Sequence, residues 1–277
     1  MIFHSSFEYI YLWLPLVGFL VGLIGTLIGG GGGGFFFIPI LTILFGVPAQ
    51  VAVPTSLAAT IPICIVGCVG HYRNDNIDVR MGLLMAAAGI VGALGGAGFT
   101  SLITHKQLII CYGSYAIMIA MTILISNWKK KRAEANGILK REDPGYLKAT
   151  KATLFGFLAG VITATFGTTG ATPAQAGLFA MGKSVKVVIG TSLLVVMVNT
   201  ASALGAHFLI GKIDLTLVLF LTAGTIIGAL VGPKLLKGVK LERIDGPVRV
   251  WYALGMILFG IAMIISTFDV ISYLDNI

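Results

Sequence analysis

GTLIGGGGGGFFFIP, from Gly25 to Pro39, sets six consecutive glycines inside an apolar stretch and closes on three phenylalanines and a proline. Glycine loses more backbone entropy on ordering than any other residue. An unbroken run therefore weakens a helix and is tolerated where backbone bends sharply or approaches something closely. The composition around it makes the bilayer the solvent: 57% of residues are hydrophobic, 11% are charged and the mean hydropathy is +0.97, against about 25% charged residues in an ordinary soluble domain. In hydrocarbon, every N–H and C=O lacking an intrahelical partner needs another one. The glycine amides must face protein, water or a ligand.

Apolar segments run over 11–29, 35–47, 48–71, 80–103 and 107–127; a basic stretch occupies 128–149; further apolar segments run over 150–167, 171–181, 184–209, 214–233 and 249–268. Most approach the ~20 residues that a helix needs to cross a ~30 Å core, whereas 35–47 and 171–181 fall short. Each short segment follows a break, the first the glycine run and the second Phe166-Gly167-Thr168-Thr169-Gly170-Ala171-Thr172-Pro173. That coincidence exposes an internal repeat. GFLVGLIGTLIG at Gly18–Gly29 matches GFLAGVITATFG at Gly156–Gly167. At a constant offset of 136, VAVPTSL (51–57) matches VVIGTSL (187–193), His71 matches His207, Ile77-Asp78 matches Ile213-Asp214, and IVGALGG (90–96) matches IIGALVG (226–232). The chain reads as two homologous halves, 1–127 and 150–277, joined by a linker.

Charge sets the orientation. If both short segments cross and the N-terminus lies outside, 17 of the 19 Lys and Arg residues fall on the inner side, leaving Lys106 and Lys212 outside; if they turn back, the division is 11 to 8. The positive-inside rule prefers the first arrangement. The expected fold is an all-α polytopic membrane protein made of two inverted repeats of about five transmembrane segments each. It sits in the cell membrane as a multi-pass protein, with both termini outside and the basic central loop cytoplasmic. Segment 35–47, even if fully helical, would cover only about 20 Å, so the glycine run must supply depth in extended form. Short Gly/Pro-interrupted segments at corresponding positions of two halves point to a transporter's substrate site. The spaced pairs Gly18/Gly22, Gly92/Gly96, Gly156/Gly160 and Gly228/Gly232 read instead as close helix packing.

A second constellation is Pro54-Thr55-Ser56-Leu57 and its repeat Gly190-Thr191-Ser192-Leu193. Each Thr lies about seven or eight residues into a long helix, roughly 10–12 Å from its own membrane face, and inversion brings the two pairs toward one level. A hydroxyl bonding its own i−4 carbonyl is the common structural role, but Pro54 cannot donate a backbone hydrogen bond and favours a local break. Asn199, Gln50 and Gln175 are weaker polar candidates. All 11 acidic residues lie in or beside polar breaks, and no Lys or Arg sits at depth. What remains there is backbone N–H groups, half-helix N-termini and hydroxyls, which are anion-binding elements. A cation would call for an intramembrane carboxylate. The expected partners are a small anionic substrate, the lipid bilayer and a coupling proton or ion. Nucleic acid is not expected, because the basic residues serve orientation. Cys64 and Cys68 share a helical face without further metal ligands and read as packing residues, so neither metal nor cofactor is expected. An enzyme would need a nucleophile with a base or a metal cluster, which the spans lack. A passive anion channel could use the same dipoles. His71 and His207 read as interfacial caps ahead of a proton relay.

The Gly-rich break ending in Pro39-Ile40-Leu41, the following Thr-Ser-Leu motif, and the repetition of both together resemble the sulfite exporter TauE/SafE family, also called the 4-toluene sulfonate uptake permeases. The resemblance covers nearly the whole chain. It implies secondary transport of sulfur-containing anions such as sulfite, sulfoacetate and related sulfonates. It also implies substrate contact at Gly30, Gly31, Gly32, Gly33, Gly34 and Pro39, at Thr55 and Ser56, and at their repeats Gly167, Gly170 and Pro173, and Thr191 and Ser192. Thr168, Thr169 and Thr172 stand where a glycine-rich repeat is expected; Thr168 and Thr169 are retained as binding candidates whose difference from glycine marks substrate choice.

Overall fold

Apolar runs in a bilayer resolve into helices because each backbone group must find its partner close by. The computed structural model describes residues 2–3, 8–27, 34–135, 144–167, 170–210, 213–235 and 241–274. Candidate residues Gly30, Gly31, Gly32, Gly33, Thr168 and Thr169 lie outside the described residues, as does the middle of the central loop, 136–143.

A 3₁₀ turn at Tyr9–Trp13 leads into α1 (Leu14–Leu27). Helix α2 (Gly34–Leu44) changes pitch along its length, from a 3₁₀ turn at Gly34–Phe36 through one α turn at Phe37–Pro39 to a π turn at Ile40–Leu44. There follow α3 (Ala49–Tyr72), α4 (Val79–Leu102), α5 (His105–Ala135), α6 (Gly145–Phe166), α7 (Ala171–Ala180), α8 (Val185–Ile210), α9 (Leu215–Leu235) and α10 (Leu241–Leu274). Strand β1 (Ile2–Phe3) pairs in parallel with β2 (Ile213–Asp214), Phe3 opposite Asp214. Among the described residues, six helices are long and apolar enough to cross a membrane: α3, α4, α5, α6, α8 and α10. This is an all-α polytopic membrane protein apart from that two-residue strand pair. Exposed Tyr9, Trp13, Tyr72 and Tyr146 mark helix ends, where amphipathic rings anchor at headgroup level.

The chain divides into two compact units, and each draws on both sequence halves: one comprises Met1–Leu102 with Glu142–Lys237, the other Ile103–Arg141 with Gly238–Ile277. In the larger unit, α1 packs on α9 and α4 on α6. The spaced glycines explain both contacts. A Cβ on Gly18 would overlap the Leu221 carbonyl oxygen, one on Gly22 would lie 2.7 Å from that of Thr225, and Cβ atoms on Gly224 and Gly228 would overlap those of Pro15 and Phe19. On the other pair, Gly92 and Gly96 face Phe157 and Val161 while Gly156 and Gly160 face Met85 and Gly89, again carbonyl against bare Cα. Lipid is as apolar as leucine, so helices associate through close van der Waals packing, which bare Cα positions permit. Helices α3 and α8 are the interior of this unit: 72% and 56% of their apolar windows are buried, against 33–44% for the other long spans. In the smaller unit, α5 packs on α10 where Gly113 meets Gly260.

One local expectation fails. Helix α3 runs unbroken through both Pro54 and Pro62. Pro54 is its sixth residue, so the missing N–H deprives only the Gln50 carbonyl near the helix start, and the remaining ladder carries the helix past it.

Candidate functional site

A helix that stops inside a membrane leaves carbonyls at its end and N–H groups at the next helix's start, and each needs a partner. The break between α6 and α7 finds them on three other helices. The imidazole Nε2 of His207, on α8, lies 2.8 Å from the Ala164 carbonyl. The Thr100 hydroxyl, on α4, lies 3.1 Å from the Thr165 carbonyl and 3.3 Å from that of Ala164. Ser56, on α3, lies with its Oγ 2.6 Å from the Gly167 carbonyl and 2.8 Å from that of Val53 in its own helix. On the far side of the break, the Gly170 N–H donates to Thr163 Oγ1 at 2.9 Å, and that hydroxyl donates to Ala159 O at 2.7 Å.

The two glycines here are required by geometry. Gly167 ends α6 at φ +59°, a left-handed conformation that is strained for any residue with a Cβ. Such a Cβ would also lie 2.6 Å from Ser56 Oγ and 2.7 Å from Val53 O. At Gly170 a Cβ would overlap the Ala159 carbonyl and approach Thr163 Oγ1 to 2.6 Å. Pro173 is buried as the third residue of α7, where a missing N–H costs little. On the first half's side, Gly34 and Pro39 are buried within α2.

The Thr-Ser pairs are fully buried, each of the four at 0% exposure. Thr55, the seventh residue of α3, donates to Val51 O in its own helix at 2.8 Å. Thr191, the seventh residue of α8, accepts the backbone N–H of Asp78 at 2.9 Å. Ser192 donates to Ile189 O at 2.9 Å and lies 3.4 Å from Nε2 of Gln175 on α7. The structure thus joins Ser56 of the first pair to Gly167 of the second break, and Ser192 of the second pair to α7. Thr191 is tied to the loop before α4.

That loop carries an ion pair. Asp78 Oδ2 meets Lys183 Nζ at 2.7 Å, and Asp78 Oδ1 accepts the Met81 N–H at 3.0 Å. Partial burial pushes the Asp78 carboxyl up, but the Lys183 hydrogen bond, the Met81 N–H and the charges of Lys183 and Arg80 outweigh it and hold the group below its ordinary value. Cys64 and Cys68 are free and buried, Cys64 beside Ala171 and Val196, in a packing role. Among the described residues no group of three His, Cys, Asp or Glu could hold a metal ion.

Sequence reasoning passed over Thr163, Thr100 and Lys183. Thr163 had a faint signal, because it stands in GFLAGVITATFG where Gly25 stands in the first half. The sequence places His207 as an interfacial cap. It caps the last turn of a different helix, α6.

The sulfite exporter TauE/SafE family profile matches residues 14–263. The chain is 34% identical over 221 residues, 79% of its length and 87% of the relative's, to the probable membrane transporter protein YdhB of Bacillus subtilis (strain 168). Two further proteins of that organism, the probable membrane transporter proteins YunE and YjnA, are 24% identical over 86% of this chain and 92% of the relative, and 26% identical over 79% and 86%. No solved structure matches. The extent of the profile match, over a polytopic helical fold with a broken span and buried Thr-Ser pairs, places the chain in the sulfite exporter TauE/SafE family of membrane transporters.

Proposed function

We propose that this chain is a secondary transporter of a small sulfur-containing anion, sulfite or an organosulfonate such as sulfoacetate, working by alternating access between two inverted halves. The observation that carries the reading is the Ser56 to Gly167 contact, 2.6 Å, in which the Thr-Ser motif of one half sits on the break of the other. A substrate site shared by two halves requires such an arrangement, because only a site touching both can be opened to one side and then the other. The packing supports the repeat. The mates of α1 and α9 are α6 and α4, and these too form a pair; α3 meets its mate α8, and α5 its mate α10. Five segments per half, an odd number, invert the second relative to the first, with both termini outside and the central loop inside.

The choice of an anion follows from the polar groups at depth. They are neutral, namely hydroxyls, backbone amides and the side-chain amide of Asn199, and the acidic residues lie in or beside the polar breaks. Backbone amides at helix starts hold anions through aligned partial charges, and neutral dipoles let the substrate leave again. The glycines at 30–34 with Pro39, Gly167 with Thr168, Thr169, Gly170 and Pro173, and the pairs Thr55/Ser56 and Thr191/Ser192 are the proposed contacts.

Purified protein in liposomes should accumulate labelled sulfite or sulfoacetate by counterflow against unlabelled anion inside. Flux without counterflow would favour a passive channel, and a requirement for a cation as the transported species would overturn the reading. Orientation is checked separately in a cysteine-free background. Asn136→Cys should be shielded from an impermeant thiol reagent in intact cells while Gly211→Cys and Asn276→Cys react; labelling at 136 from outside would sink the ten-segment topology.

A further inference from the structure

Asn199 lies near the middle of α8, and its side chain is 0% exposed with neither Nδ2 nor Oδ1 hydrogen-bonded. An amide in that position loses its water on both atoms and gains nothing in exchange, which is among the more expensive arrangements a membrane span can adopt. A buried polar group without a partner calls for one that this arrangement of the helices does not supply. Room for this one is made deliberately: a Cβ on Gly89 of α4 would overlap the amide oxygen and lie 2.6 Å from Nδ2 and 2.7 Å from Cγ. Any larger residue at 89 would evict the amide.

Position along α8 ties Asn199 to the Thr-Ser pair. Ser192 and Asn199 are seven residues apart, so they share one helical stripe, about 10 Å apart along the axis. Val188 and Val195 lie on the same stripe and pack with Met85 of α4, Ala152 and Ala159 of α6 and Ala174 and Leu178 of α7. The stripe therefore faces the helices that flank the second break. The sequence mate of Asn199 in the first half is Ile63, and the mate of Gly89, itself a first-half residue, is Thr225 in the second. Among the described residues, the buried amide of α8 thus has an apolar residue at the matching position of α3, and in the sequence the glycine run of the first half has threonines at the matching break of the second.

We infer that Asn199 is a substrate-contact residue that determines anion selectivity, its Nδ2 hydrogens donating to the transported oxyanion when α8 and α4 part. The inference rests on the small-anion reading above and deepens it. The second half, with threonines at its break where the first half has glycines, offers the side-chain amide of Asn199. No charged side chain is added, so the donor that Asn199 brings is a neutral one.

The test uses the full chain in detergent, with sulfite and sulfoacetate as probes and melting temperature as the readout. The unsubstituted chain should melt higher as either anion is added, since a ligand that binds only the folded state stabilises it. Asn199→Leu should fold with an unchanged or higher melting temperature in the absence of anion, because it removes an unpartnered polar group. Its apparent Kd for the anion should weaken about tenfold. Asn199→Ala, which avoids any steric demand, should weaken binding similarly, and Asn199→Asp should abolish it by repulsion. If Leu and Ala variants keep the anion response at unchanged Kd, whatever their own melting temperature, the amide is structural and this inference alone is overturned. Stabilisation by sodium instead of the anions, lost in the same variants, would overturn it by showing a cation site. Absence of any anion response in the unsubstituted chain would overturn the transport reading and this inference with it.

Discussion

The two Thr-Ser pairs occupy the same place in their repeats, each Thr being the seventh residue of its helix, yet they are tied to different parts of the molecule. Thr55 donates within its own helix, to Val51, and Ser56 closes onto the backbone of the second break. Thr191 instead holds the Asp78 loop, and Ser192 reaches the Gln175 side chain. The loops differ in the same way. Asp78 and its mate Asp214 both accept an N–H at the start of the following helix, from Met81 at 3.0 Å and Thr216 at 2.9 Å. Beyond that, Asp78 pairs with Lys183, whereas Asp214 sits in a strand pair with Ile2–Phe3. Helix contacts, which need only small residues at fixed spacing, correspond between the two matching stretches of sequence, whereas the connections made by single side chains differ.

The largest effect should come from the Ser56 to Gly167 contact. Gly167→Ala forces a Cβ into a left-handed position and against Ser56 Oγ and Val53 O, a combined cost of roughly 2–4 kcal/mol from backbone strain and overpacking. Gly182 is the control: its φ is +79°, but nothing lies within 4 Å of an added Cβ, so Gly182→Ala should cost only the strain, about 1–2 kcal/mol. Thermal melting in detergent separates them. Equal losses would mean that the packing at Gly167 contributes nothing.

A smaller and more pointed difference is expected between Thr191→Val and Thr55→Val. Removing the Thr191 hydroxyl leaves the Asp78 N–H without its acceptor, about 1–3 kcal/mol. Removing the Thr55 hydroxyl takes away a bond to a carbonyl that the helix ladder also uses, costing about 0.5–1 kcal/mol. Under the proposed function both variants should also weaken sulfite affinity about tenfold, so stability and binding are scored separately. A Thr55→Val loss as large as that of Thr191→Val would mean that the tie to Asp78 is not what distinguishes the pairs.

The helices and their glycine contacts were legible in the sequence because both are local properties. A span shows as length and apolarity, and Gly18/Gly22 or Gly156/Gly160 show as spacing. Which helix each glycine would meet was not legible, since α1 reaches α9 across most of the chain. The Ser56 to Gly167 bond joins residues 111 apart, and nothing at either end announces it. Pro54 misled for a related reason: its effect depends on distance from the helix start, and that boundary, set by Pro48, is blurred in an apolar run. Asn199 was visible as a polar residue in a span. Its lack of a partner, and the space left by Gly89, became visible only when α4 was laid against α8.

The smallest effect sharpens the contrast between the two loops. The Asp78–Lys183 pair is partly exposed, with side chains 24% and 32% accessible, and an ion pair of this kind contributes at most about 1 kcal/mol after solvent screening. Because the Asp78 carboxyl is held below its ordinary value in the folded chain, its contribution is fully present above the ordinary carboxylate range. It is lost as pH falls through the lowered folded value, where Asp78 takes up a proton and ceases to pair. Lys183→Met removes the hydrogen-bond partner and one of the two cations that lower it, so Asp78 moves back toward its ordinary value. The substituted chain should melt slightly below the original at neutral pH, and the gap should close on acidification as both forms protonate Asp78. Asp78→Asn should show the same small deficit at neutral pH and, beyond it, no further change when combined with Lys183→Met. A melting gap that is indifferent to pH, or two deficits that simply add, would mean that Lys183 stabilises this loop by packing its alkyl chain and not by charge.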